Sequence, residues 1–123
     1  MPRTPESPLE VTRYIGTILR RKRALLDELH QAELDAWEKR HECDVQLAHT
    51  FLRAEGSIPQ KDAIVEIDKV IRRLKDEAKI AELAVKHLMR MVGQCNDELD
   101  GARTAAATLR AEFSVMGLTD EGA

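Results

Sequence analysis

Aromatic residues are nearly missing from this chain: Tyr14, Trp37, Phe51 and Phe113 are 3% of 123 residues. Glycine and proline are sparse too, at six and four. A β-sandwich or barrel needs many turns, so this scarcity argues against both and in favour of long helices. No stretch approaches the roughly 18 uninterrupted apolar residues of a membrane span, and no signal peptide opens the sequence. A cytoplasmic protein with no membrane partner is therefore expected, with its two cysteines, Cys43 and Cys95, reduced. Charge of one sign is lacking as well. Charged residues make up 33%, yet the net charge is only −3, the mark of a mixed-charge surface on a single domain. There is no glycine-rich phosphate loop, no Ser/His/Asp set and no carboxylate pair in a predicted pocket. Neither an enzyme, a cofactor nor a small-molecule substrate is expected.

What the chain does have is periodicity. From Ile64 onward, sixteen apolar residues recur at alternating steps of three and four. They are Ile64, Ile67, Ile71, Leu74, Ala78, Ala81, Val85, Leu88, Val92, Cys95, Leu99, Ala102, Ala106, Leu109, Phe113 and Met116. This spacing places all of them on one seam of an α-helix that faces other helices. Ala63, Val70, Ala84, Met91 and Ala105 widen the seam on one side, more than a two-stranded coiled coil requires.

Residues 1–8 read as a disordered lead-in whose last two residues already carry a helix start. Ser7 can cap, Pro8 suits the first helical position, and Glu10 can complete a capping box. A first helix is predicted over about residues 9–55, on the order of 70 Å long. Its stripe begins with Val11, Ile15, Ile18, Leu25 and Leu29, interrupted by Lys22. It then slips onto Leu34, Trp37, Val45, Ala48 and Leu52, which predicts a kink or stutter near residues 29–34 and core positions for Trp37 and Phe51. Gly56-Ser57-Ile58-Pro59-Gln60 is the clearest break, with Gly56 ending one helix and Ser57 and Gln60 capping the next. A second helix is predicted over about residues 59–116, ending at Gly117, with a polar tail at 118–123. Gly93 and Gly101 lie inside it, off the seam, as possible kinks. The expected fold is all-α: one domain over 9–117, a long antiparallel helical hairpin that assembles into a homo-oligomeric bundle or ring.

The densest charge feature is Arg20-Arg21-Lys22-Arg23, preceded by Arg13. A hairpin turning at residues 57 and 58 puts 20–23 level with 92–95 and Arg13 level with 102. Lys86, Arg90, Arg103 and Arg110 then share that half, and in an oligomer they multiply into a basic belt able to hold phosphates in a salt-dependent way. A solvated face with local ion pairs, such as Arg23 with Asp27, is the plainer alternative, and Asp97, Glu98, Asp100 and Glu112 dilute the field. Among the aromatics only Tyr14, one turn from the basic run, is a candidate to stack on a base. Glu38 and His41 have the Glu-x-x-His spacing of di-metal bundles, with Asp27 and His30 the nearest second copy. Such sites need the motif twice and two further inward glutamates, so no metal is expected. The same register separates Cys43 from Cys95 and forbids a disulfide between them.

Several segments carry a family likeness. Ala48, His49, Phe51 and Leu52 close the first long helix, and a polar break with Ser57 and Lys61 follows. The second helix then carries Lys79, Leu88 and Leu99-Asp100-Gly101-Ala102-Arg103-Thr104, closing on Leu109-Arg110-Ala111-Glu112-Phe113. Over residues 10–115 this organisation resembles the recombination mediators of T-even phages, the UvsY family. The resemblance implies a ring-like homo-oligomer that binds single-stranded DNA and helps load a RecA-like recombinase in place of a single-strand-binding protein. It also implies that basic residues of the first helix touch DNA, here Arg20, Arg21, Lys22 and Arg23. The net acidic charge departs from that pattern. The expected function is thus a non-enzymatic recombination mediator or single-stranded DNA-binding accessory protein, with Arg13, Lys86 and Arg90 assisting. The alternative is a coiled-coil adaptor or scaffold that binds no nucleic acid.

Overall fold

A computed structural model describes residues 7–115. The lead-in at residues 1–6, the last seam residue Met116, the helix end at Gly117 and the tail at 118–123 lie outside the described residues. All regular structure in the described part is helical: α1 (Pro8–Arg53), α2 (Ile58–Ile67) and α3 (Lys69–Val115). The helix start at Ser7 is as its chemistry dictates. Its hydroxyl accepts from the Glu10 amide at 3.2 Å, so α1 begins at Pro8, inside the segment assigned to the lead-in.

Contacts divide the chain into two compact units. The first joins the residues up to Leu26 with those from Arg90 onward; the second is Asp27–Met89. In the first unit, Pro8, Thr12 and Ile15 share a groove with Arg110, Ala106 and Arg103, so the two helical segments run antiparallel. Its core is Val11, Ile18 and Leu25 from α1 against Cys95, Leu99 and Ala102 from α3, all buried. Pairing is displaced by up to one helical turn from a simple hairpin register, because Arg21 reaches Cys95 and Glu98 and Thr12 lies beside Ala106.

In the second unit the chain turns through Gly56, whose φ of 112° is open to glycine but strained for other residues. Ser57 then caps α2 with a full capping box. Its side chain accepts from the Gln60 amide, and the Gln60 side chain accepts from the Ser57 amide at 2.8 Å. The predicted second helix is not continuous. Asp68 adopts an extended conformation (φ −66°, ψ 120°), ending α2 and capping α3 through Oδ1, which accepts from the Val70 and Ile71 amides at 2.9 and 3.0 Å. An aspartate side chain competes for backbone amides in this way wherever it can close a cap, and no glycine or proline is needed to mark the spot.

That break corrects the seam. From Ile71 to Phe113 the predicted positions are buried or half-buried. N-terminal to Asp68 the phase is lost: Ile64 and Ile67 are exposed, and Val65 is the buried residue of α2. Gly93 and Gly101 interrupt nothing, and α3 runs through both.

The predicted slip in α1 does not occur either. The inward stripe keeps its steps of three and four through Leu29, Ala32, Ala36, Lys39, Cys43, Gln46 and Thr50, none of which is exposed. A straight seam between two helices holds one phase, and small side chains satisfy it as well as large ones. Leu34, Trp37, Val45 and Leu52 are consequently exposed, Trp37 by 64% and Leu52 by 76%. Trp37 is thus no core residue; its ring stacks on His41 with centroids 5.1 Å apart. Phe51 is half-buried beneath the Lys61 ammonium, 5.3 Å from the ring centroid.

Candidate functional site

Four consecutive basic residues cannot share one helix face, and the structure divides them. Arg13, Arg20 and Arg23 each stand two positions from a buried residue (Val11, Ile18 and Leu25), which is about 200° or 160° around the helix. They therefore form an exposed edge on the outer side of α1, spanning about 15 Å along its axis. Thr17 links two of them: its hydroxyl donates to the Arg13 carbonyl at 3.1 Å and accepts from Arg20 Nη2 at 3.3 Å. Among the described residues none of the three arginines is ion-paired, and the anticipated Arg23–Asp27 bridge is not formed.

Arg21 and Lys22 point elsewhere. Arg21 turns toward α3, where Nε donates to Cys95 Sγ at 3.4 Å and Nη2 pairs with the Glu98 carboxylate. The hydrogen bond to Cys95, then that to Glu98, raises the Arg21 pKa above its ordinary value, so its charge is committed to this contact. Lys22 sits half-buried on the inward stripe, four positions after Ile18 and three before Leu25. Arg90 is exposed on the outer side of α3, two positions from half-buried Leu88 and Val92, and so is separated from the α1 edge by both helices. Lys86 is exposed but belongs to the second unit. Of seven expected phosphate ligands, three are brought together: Arg13, Arg20 and Arg23. Tyr14 is half-buried on the inward side of α1, three positions after Val11 and four before Ile18, away from this edge.

Four other basic side chains are ion-paired. Lys39 pairs with Glu77 at 3.9 Å and Arg40 with Glu82 at 3.0 Å, across the α1–α3 contact of the second unit. Arg73 and Arg103 pair within α3, with Glu77 and Asp100.

The chain matches no family model, no curated protein and no solved structure. The site must therefore be read from its own chemistry. The grooves are open furrows along helix pairs. One, about 590 Å³, runs past His41, Glu42 and Val45 on α1 and Val70, Arg73 and Leu74 on α3. Among the described residues no three His, Cys, Asp or Glu side chains gather closely enough to hold a metal, and no helix is long and apolar enough to cross a membrane. Cys43 and Cys95 are free, buried thiols in different units.

Sequence reasoning missed the second feature of this surface. In the second unit the outer side of α1 presents Leu34, Trp37, Val45 and Leu52, and α3 presents Ile80 and Leu83, both exposed by more than 60% in the case of α3. The spacing of 34, 37, 45 and 52 was visible in the sequence. Its meaning was not, because two apolar stripes on one helix look like a single stripe that has slipped.

Proposed function

We propose that this chain is a non-enzymatic, self-associating helical protein whose α1 arginine edge binds the phosphates of single-stranded DNA, as an accessory or mediator of recombination. One observation carries the reading. Arg13, Arg20 and Arg23 are exposed on one edge without carboxylate partners among the described residues, whereas Arg21, Lys39, Arg40, Arg73 and Arg103 are all paired. Three phosphate contacts are few. Binding by one copy should be weak and lose affinity with a salt slope of about −2 on logarithmic axes, and an oligomer would multiply the contacts. A long helical hairpin that assembles into a ring or bundle suits this, with a RecA-like recombinase or a single-strand-binding protein as the further partner.

The test is fluorescence anisotropy of a labelled oligothymidylate titrated at low and moderate salt. Saturable binding that weakens with salt, and is abolished in Arg13→Ala/Arg20→Ala/Arg23→Ala without loss of helicity, supports the reading. Unchanged affinity in that variant rejects the edge as the site. A second reading, an adaptor that binds only protein, is favoured by the exposed apolar residues of the second unit and by the net charge of −3. No binding to the oligonucleotide at low salt would select it.

A further inference from the structure

On the outer side of α1 in the second unit, Leu34, Trp37, His41, Val45, Ala48 and Leu52 follow one another at steps of three and four. They lie on the face opposite Ala32, Ala36, Cys43 and Thr50, which pack inward. The stripe covers about 27 Å of helix. Its large apolar members are exposed by 47%, 64%, 42% and 76% at Leu34, Trp37, Val45 and Leu52. We propose that this stripe is the seat of a second copy of the same chain, the two α1 stripes packing antiparallel about a two-fold axis beside His41 and Val45.

Charge selects both the occupant and the direction. One flank of the stripe carries Asp35, Glu38, Glu42, His49 and Arg53. With Leu34 of one copy opposite Leu52 of the other, Asp35 comes opposite Arg53 and Glu38 opposite His49, each pair repeated by the symmetry, while Glu42 nears only its own copy beside the axis. A parallel arrangement sets this flank against the opposite one, where Glu33 and Asp44 repel Asp35 and Glu42. Asp35, Glu38, His49 and Arg53 are all exposed and none is ion-paired among the described residues, whereas Lys39 and Arg40, which flank the inward contact, are paired with Glu77 and Glu82. The outer flank thus has the charge pattern of a helix contact whose second member is its own copy. A hydrophobic stripe ringed by polar groups is also what marks an interaction surface on a soluble chain. This interface stands whether or not the arginine edge binds DNA.

Trp37 is the sole tryptophan, and it reports on the interface directly. Sedimentation equilibrium across the micromolar range should show association beyond the 13.9 kDa monomer. Over the same range Trp37 emission should shift to shorter wavelength and become shielded from iodide. Leu34→Glu/Leu52→Glu should abolish that association while circular dichroism keeps its helical signal. Asp35→Arg should weaken association about tenfold, and adding Arg53→Asp should restore it, because reversal of both charges rebuilds the pair. A chain that stays monomeric throughout overturns the proposal. So does association that survives Leu34→Glu/Leu52→Glu, and if Ile80→Glu then disrupts it, the interface belongs to α3. A charge-swapped double variant as weak as Asp35→Arg alone overturns the antiparallel register. Oligonucleotide binding measured on the same variants is a separate readout: lost association with retained DNA binding touches only the proposed function's dependence on assembly.

Discussion

The two units handle their apolar residues differently. The first, with 19 residues on α1 and 26 on α3, buries four large aliphatic side chains, Val11, Ile18, Leu25 and Leu99. It leaves four large hydrophobics exposed: Leu9, Leu19, Leu26 and Val115. The second, with 63 residues, fully buries two, Val65 and Ile71, beside Cys43, Ala78 and Ala81, half-buries Leu74, Val85 and Leu88, and exposes eleven. Each large aliphatic burial contributes about 1.5–3 kcal/mol, and an alanine far less. The first unit therefore holds itself together largely by packing. The second holds its helices by small residues, two ion pairs and caps, and keeps its larger apolar groups on the outside. That division teaches that hydrophobic periodicity in a helix does not say which of its faces meets its own chain.

Five experiments press on this contrast. Leu99→Asp places a charge in the packed centre of the first unit, where Leu99 is 3% exposed, and should cost about 3–5 kcal/mol and abolish cooperative thermal unfolding by circular dichroism. Ile18→Ala, at 1% exposure in the same unit, should cost about 2–5 kcal/mol in urea unfolding. Asp68→Ala removes two hydrogen bonds to amides in the second unit and should lower stability by about 1 kcal/mol in the same titration. Gly93→Ala and Gly101→Ala add a methyl group where nothing lies within 4 Å, in an uninterrupted helix, and each should raise stability by about 0.5–1 kcal/mol. Ile80→Gln and Leu83→Gln, on the exposed side of the second unit, should each change monomer stability by less than about 0.5 kcal/mol in dilute solution. Equal losses from Ile80→Gln and Ile18→Ala would erase the difference between the units.

Much of the local structure was legible beforehand because it depends on neighbours in sequence. Ser7 before Pro8 starts α1, Gly56 takes a positive φ, and Ser57 with Gln60 closes a capping box, each settled by a few adjacent groups. The seam from Ile71 to Phe113 was legible for the same reason: a run of threes and fours in a helix has one inward side when only one such run exists. The break at Asp68 was not, because the apolar pattern continues across it and an aspartate in a polar helix face carries no mark of its own until its carboxylate finds the Val70 and Ile71 amides. The basic run was legible as charge but not as a site. Its arrangement depends on Arg21 finding Cys95 and Glu98, which only the opposing helix supplies.

By itself, then, the sequence determined that this chain is helical, where its first helix starts, where it turns and which residues of α3 face inward, since backbone propensity, capping and periodicity act over a few residues. Only the tertiary structure decided which of the two stripes on α1 is spent within the chain, which arginines stay free, and which large apolar groups stand exposed. A helix with two apolar sides leaves that choice to its partner. Here, in the second unit, Cys43 is buried with Ala32 and Ala36 half-buried on one side of α1, and Leu34, Trp37, Val45 and Leu52 are left exposed on the other.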